Sequence, residues 1–200
     1  MLSYLALGDS YTIGEQVPFT ENFPFRLVGD LRVAGIDVAD PVIVATTGWT
    51  TDELAAAIME RKIRETFSFV TLLIGVNNQY RGRSVENYKE EFRGLLQTAI
   101  HFAGGDPLHV FVVSIPDWGA TPFAEGRDRV QIAKEIDDYN TTKQAITVSM
   151  GCHYTEITES TREHGQDPAY LAPDGLHPSA KEYAIWAHRL APLVMQYCMQ

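Results

Sequence analysis

Cysteine is almost missing from this chain of 200 residues: only Cys152 and Cys198 occur, far apart and outside any metal-ligand spacing. That excludes a disulfide-stapled scaffold and a cysteine zinc site, and makes buried free thiols the expected state. No apolar run reaches the length of a membrane span, so no membrane span is expected. A basic leader is also missing, and a strand pattern starts almost at Met1, so the expectation is a cytoplasmic protein without a cleavable signal. Lysine and arginine number 16 against 26 acidic residues, a formal net charge of -10, and no basic cluster appears. A nucleic-acid backbone is therefore excluded as a partner. His101, His109, His153, His164 and His188 form no metal pattern and read as surface or satisfied core residues, so no metal site is expected. Internal repeats and low-complexity linkers are absent too, and residues 1–200 read as one domain.

What is present is a steady alternation of strand and helix signals. Tyr4 to Leu7 is a short apolar run that stops at Gly8-Asp9-Ser10 and passes into a turn ending at Gly14. Helical spacing follows from Phe23 to Ala34, a β-branched strand from Pro41 to Thr47, and a helix from Asp52 to Arg64. Phe67 to Ile74 is nearly continuous in apolar and β-branched residues, as a strand buried on both faces should be. Ser84 is placed to cap a helix over Val85–Ala103, with Val85, Tyr88, Phe92, Leu95, Leu96, Ala99 and Ile100 on one stripe. A strand over Leu108–Ile115, a helix from about Arg127 to Met150 and a short strand over Cys152–Ile157 complete the series. A polar loop, roughly Thr158 to Pro178, then leads to a last helix from Ser179 through Tyr197, which Pro192 is expected to bend or interrupt. Such alternation with helix-length crossovers predicts a three-layer, doubly wound α/β domain around a parallel sheet of about five strands. The pattern carries no signal of oligomeric state.

In such a sheet, ligands bind outside the carboxyl ends of the strands. Four loops at that edge carry polar residues that packing does not require: Ser10, Gly48, Asn77 and Asp117. A serine becomes a nucleophile only with a base in reach and a third group that orients the base. Asp174-Gly175-Leu176-His177 supplies both, because three residues of separation let the carboxylate fold back onto the imidazole. Taken alone, that pair reads equally well as a turn before Pro178. The amides of Ser10 and Gly48 and the carboxamide of Asn77 are candidate donors to an oxyanion.

Together the four blocks resemble the SGNH hydrolases, the GDSL-type esterases and lipases. Gly8-Asp9-Ser10 is similar to the family's nucleophile block, and Gly48 to its oxyanion glycine. Gly75-Val76-Asn77-Asn78 and Asp174-Gly175-Leu176-His177 are similar to its Gly-x-Asn and Asp-x-x-His blocks. The resemblance implies a flavodoxin-like fold and a carboxylic ester hydrolase without a cofactor. Ser10 would be nucleophile, His177 base, Asp174 its orienter, and Ser10, Gly48 and Asn77 the oxyanion hole. Two departures stand out. Asn78 replaces the aspartate often found there, and Tyr11 replaces leucine after the serine. Tyr11 is expected to point away from the reacting atom and to bear on packing or a substrate wall.

Trp49, Tyr80, Arg81, Trp118 and Phe123 flank this centre and are candidate walls for a small-molecule ester. With no long apolar insertion to serve as a lid, short acyl esters such as acetylated carbohydrate are expected over long-chain lipid. Arg81 alternatively meets an anionic leaving group such as a lysophospholipid head, with a lysophospholipase or thioesterase as the alternative activity. The Gly-x-Ser-x-Gly elbow of the other major hydrolase fold is missing, since Thr12 stands where its second glycine belongs. A non-enzymatic reading has Ser10, Thr12 and Gly14 cradling the phosphate of a flavin mononucleotide that stacks on Trp49 or Trp118. It leaves Asn77, Asp174 and His177 unexplained.

Overall fold

The computed structural model describes residues 1–198. Its first strand, β1 (Tyr4–Gly8), is buried along its whole length, as an unbroken apolar run requires. Joined to it are β2 (Val42–Ala45), β3 (Phe69–Leu73), β4 (Val110–Val113) and β5 (His153–Thr155). Among the described residues these five form one sheet in the order β2-β1-β3-β4-β5, and every neighbouring pair is parallel. The chain therefore steps to one side of β1 for β2 and to the other for β3. The loops leaving β1 and β3 diverge at that switch, opening a crevice. Register makes the crevice level: Gly8 lies opposite Ala45 on one side and Leu73 on the other.

Helices cover both faces. On one, α2 (Phe23–Val33) packs along α8 (Ala180–Cys198); on the other, α5 (Val85–Phe102) packs on α3 (Thr51–Arg61) and α6 (Arg129–Ser149). This segregation follows from right-handed crossovers running in opposite directions from β1. Ser84 caps α5 by accepting the amide of Asn87. Below it Tyr88, Phe92, Leu95, Leu96 and Ala99 are buried, while Val85 and Ile100 are only partly covered. Across the sheet, Phe23, Leu27 and Leu31 of α2 and Trp186, Leu190 and Val194 of α8 are fully buried. Cys152 is a buried free thiol, and Cys198 is free but only half-buried.

Three local expectations need correction. First, of the bend or interruption expected at Pro192, the interruption does not occur, since α8 runs through it; the ring costs one backbone bond, which packing of the buried face outweighs. Second, the polar loop expected from Thr158 opens instead as a helix, α7 (Thr158–His164). Its inward face is made of hydroxyls, which no apolar period reveals: Thr158 bonds Ser114 and the Ile115 carbonyl, Thr161 accepts the Asp117 amide, and Ser160 donates to Glu182. Third, the turns after β1 and β3 are short helices, α1 (Ser10–Ile13) and α4 (Val76–Tyr80).

Candidate active site

The strand β1 ends where the chain must turn tightly into α1. A Cβ on Gly8 would lie 2.0 Å from Thr12 Oγ1 and 2.5 Å from the Leu73 carbonyl oxygen, so only glycine fits. Asp9 then caps α1, its Oδ1 accepting the Tyr11 amide at 3.0 Å. Burial pushes the Asp9 carboxyl up to about 7, opposed by that amide and by the charge of Lys143. Ser10 follows as the first helical residue, buried, with Oγ 3.0 Å from His177 Nε2.

His177 comes from the opposite end of the chain. Asp174 organises its own loop, since Oδ1 accepts the amides of Leu176 and His177, both at 3.0 Å. Its Oδ2 lies 2.6 Å from His177 Nδ1. With the proton on Nδ1, Nε2 is left to accept from the Ser10 hydroxyl. Partial burial acts to raise the Asp174 carboxyl, but the hydrogen bonds from His177 and Leu176 prevail and lower it. A bond from the Ala172 amide to the His177 carbonyl, 2.7 Å, closes the loop base. Tyr11 does not point away, contrary to expectation. Its ring centroid is 5.0 Å from that of His177 and 6.4 Å from that of Trp186, so it forms a packed floor under the imidazole.

The intervening strand ends bring the other two residues in. Gly48 has φ +83°, a conformation that disfavours a side chain, and its carbonyl accepts Arg81 Nη2 at 2.6 Å. Asn77 sits in the first turn of α4, where its Nδ2 donates to the Trp49 carbonyl at 3.0 Å. Only a long contact, 3.4 Å to Asp9 Oδ2, engages the other side of that nitrogen. One N–H is thereby anchored and the second is easily surrendered to a stronger acceptor. Asn78 is fully buried and bridges to Thr51, accepting its amide at 3.1 Å and donating to its hydroxyl at 2.7 Å. It therefore ties α4 to α3.

Ser10, Gly48, Asn77 and His177 all face one cavity of about 170 Å³, also lined by Tyr11, Thr47, Val76, Tyr80, Trp118, Phe123 and Leu176. Tyr80, Trp118 and Phe123 form its aromatic wall, with centroids 5.2 to 6.4 Å apart. Trp49 and Arg81, also anticipated as walls, are not among the lining residues. The Trp49 side chain packs partly buried against the core, and Arg81 is committed to Gly48 and Glu53. Flanking position alone did not say which way these side chains turn. Tyr11, expected to bear on packing or a substrate wall, does line the cavity, whereas Val76 and Leu176 were missed as lining residues although each adjoins a motif residue. Among the described residues no group of three or more His, Cys, Asp or Glu is placed to hold a metal, and no helix is long and apolar enough to cross a membrane.

Ser10, His177 and Asp174 thus form a hydrogen-bonded series at the carboxyl edge of a doubly wound sheet, an arrangement in which a serine can be activated as a nucleophile. The chain belongs to the GDSL-like lipase/acylhydrolase family, whose sequence profile matches residues 6–185, and is a carboxylic ester hydrolase by class. No curated protein sequence matches it. Solved structures with the same fold include TesA, at TM-score 0.75 and 16% identity over 98% of this chain and 99% of that one. Axe2, an acetylxylan esterase from Geobacillus stearothermophilus, superposes at TM-score 0.71 and 19% identity, covering 98% and 94%. The acetyl xylan esterase AlAXEase does so at TM-score 0.76 and 13% identity, covering 96% and 100%.

The flavin reading fails on geometry as well as on family. A phosphate cradle needs free amides, yet those of Tyr11, Thr12 and Ile13 are taken by Asp9 and those of Gly14 and Glu15 by the Ser10 carbonyl.

Proposed function

We propose that the protein hydrolyses short-acyl esters through a covalent acyl-enzyme on Ser10. The observation that carries this reading is the unbroken path Ser10 Oγ, His177 Nε2, His177 Nδ1, Asp174 Oδ2, with spacings of 3.0 and 2.6 Å, at the mouth of a cavity shared with Gly48 and Asn77. Ser10 Oγ attacks the carbonyl carbon while Nε2 takes its proton. The amides of Ser10 and Gly48 and the Asn77 N–H that Asp9 holds only at 3.4 Å receive the resulting oxyanion. As the carbonyl reforms, the bond to the leaving alcohol breaks and Nε2 returns the proton to it. Water enters by the same route in reverse and releases the acid. Asp174 stays ionised throughout and stabilises the imidazolium.

The cavity volume, about 170 Å³ behind a wall of Tyr80, Trp118 and Phe123, favours a short acyl group. Acetylxylan esterases share the fold, in keeping with acetyl transfer to water. Burst kinetics on p-nitrophenyl esters of increasing length test the reading. An acyl-enzyme burst is expected for acetate and butyrate, a steep fall by octanoate, and no burst in Ser10→Ala with an unchanged circular dichroism spectrum. Turnover by Ser10→Ala comparable to wild type would overturn the nucleophile; a maximum at long chains would overturn the acyl preference.

A further inference from the structure

Trp118 is a partition as well as a wall. Its side chain lines the cavity of about 170 Å³ that holds Ser10, and it also lines a separate surface depression of about 300 Å³ together with Gln79, Arg127, Gln131 and Glu135. Tyr80 borders both as well, but it is 47% exposed whereas Trp118 is only 5% exposed. The indole is therefore the part of the partition that is packed into the protein, and its orientation sets where the Ser10 cavity ends.

Two sets of bonds fix it. The backbone around Trp118 is tied by Asp117, whose Oδ1 accepts the Gly119 amide at 2.9 Å and whose Oδ2 accepts Arg162 Nε at 2.8 Å. Thr121 Oγ1 adds a bond to the Trp118 carbonyl at 2.7 Å. Movement of the wall is thereby left to the torsions of the Trp118 side chain. Its aromatic neighbours do not cage it: Tyr80 and Phe123 meet it edge-on, with centroids 5.2 and 6.1 Å away, and both are exposed over much of their surface. The hydrogen bond that holds the ring runs from Nε1 to Gln79 Oε1 at 2.7 Å. Gln79, itself buried, is held in turn, because its Nε2 donates to Glu135 Oε2 at 2.7 Å, while Gln131 Nε2 occupies Glu135 Oε1 at 2.8 Å. A carboxylate only accepts, so Glu135 compels Gln79 to turn its nitrogen outward and its carbonyl oxygen to the indole. Reversing the amide would set two donors against each other at Trp118 and two acceptors against each other at Glu135.

An indole N–H left buried without an acceptor is unfavourable. Without Gln79 the ring would therefore turn out towards the depression, where Arg127 offers a guanidinium to stack on an aromatic face. A longer acyl chain would then take the space the ring vacates beside Val76, Phe123 and Leu176, which line the same cavity. We propose that Gln79 is a positioning residue that sets the acyl-length limit of the Ser10 site by pinning the Trp118 indole as a fixed wall. Glu135 acts through Gln79, by fixing the orientation of its amide. The proposal rests on the ester-hydrolase reading of Ser10 and names what enforces its preference for short acyl groups.

The test runs p-nitrophenyl acetate, butyrate, hexanoate and octanoate on the wild type, Gln79→Met, Glu135→Leu and Glu135→Gln. Methionine keeps the length of Gln79 but is a weak acceptor, and glutamine at position 135 retains an acceptor for Gln79 Nε2. In Gln79→Met and Glu135→Leu the ratio of octanoate to acetate in kcat/KM is expected to rise about tenfold, through a lower KM for octanoate. Acetate turnover should stay within about twofold, and Glu135→Gln should keep the wild-type profile. A second measurement needs no substrate. The chain has three tryptophans, and Trp118→Phe identifies the indole N–H signal of Trp118 in the nitrogen-labelled protein. That signal is expected to exchange slowly with deuterated solvent in the wild type and about tenfold faster in Gln79→Met.

An unchanged length profile in Gln79→Met and Glu135→Leu overturns the proposal and leaves the short-acyl reading standing. Loss of acetate turnover in Gln79→Met overturns it too, because Gln79 would then support Asn77 in the same short helix. Fast exchange of the Trp118 signal in the wild type overturns the pinned wall whatever the substrate. A wild type that prefers octanoate overturns the short-acyl reading, and the limit that Gln79 would set goes with it; that outcome shows in the wild type alone. If Ser10→Ala still turns over acetate, the catalytic reading fails, while the exchange measurement still decides whether Gln79 pins the ring.

Discussion

Arg81 holds Gly48: its Nη2 donates to the Gly48 carbonyl at 2.6 Å while Nη1 pairs with Glu53 at 3.1 Å. One guanidinium thereby fastens the loop after β2 to the helices after β2 and β3. It also orients the peptide whose next neighbour, Trp49, accepts from Asn77. Removing it in Arg81→Ala should lower kcat about tenfold, the scale of one charge-assisted hydrogen bond, with KM nearly unchanged. Arg81→Lys should recover only part, since an ammonium does not span both acceptors in the same fork. Steady-state kinetics on p-nitrophenyl acetate decide it. A change confined to KM would mean that Arg81 meets substrate instead.

Loss of the Asn77 side chain should also be felt in kcat, and more strongly. With one N–H anchored on Trp49 and the other held only at 3.4 Å by Asp9, its carboxamide is set to strengthen a bond as the oxyanion forms. Asn77→Ala is expected to reduce kcat on the order of 10²-fold to 10³-fold. An unaltered kcat with a raised KM would reduce its part to substrate binding.

Asp174→Asn keeps the size and hydrogen-bonding shape of the loop but presents an amide to Nδ1. That favours the wrong tautomer of His177 and puts a proton where Ser10 must donate one. Activity should fall about 10⁴-fold while thermal unfolding changes little. Wild-type kcat in this variant would show that His177 needs no orienting partner.

Lys143 is wholly buried, donates to the Val113 carbonyl at 2.6 Å and lies 5.6 Å from the Phe92 ring centroid. Burial pulls its ammonium from 10.5 down to about 7, against the attraction of Asp9. The folded-state value is depressed, so between about 7 and 10.5 the unfolded chain binds more protons than the native one. Stability attributable to this group therefore rises with pH across that window and is lost as pH falls through about 7. In urea titrations over that range the wild type should gain on Lys143→Met as pH increases. A difference independent of pH would mean that Lys143 stays charged in the folded protein.

The strand ends and the motifs on them were legible because their signals are local. A buried strand must be apolar along its length, and its abrupt stop at Gly8-Asp9-Ser10 or Gly75 marks the edge of the sheet. The Asp174 and His177 pair lies within one turn of chain, so spacing alone brings carboxylate to imidazole. Helix α7 escaped notice because hydroxyls, not apolar side chains, fill its buried face. Lys143 and Gln79 carried no warning either, since a lysine or glutamine on a helix ordinarily faces water.

By itself, then, the sequence determined the alternation of strand and helix, the parallel sheet and the four polar blocks, three of them at strand ends and the fourth in the loop before α8. Each of these depends on periodicity or on contacts within a few residues. Only the tertiary structure decided which way the flanking side chains turn. It set Tyr11 under His177, took Arg81 and Trp49 out of the cavity wall, and joined Trp118 to Glu135 through Gln79. Those outcomes depend on which residues from distant segments compete for the same acceptors and the same space, and that competition exists only once the sheet has brought the segments together.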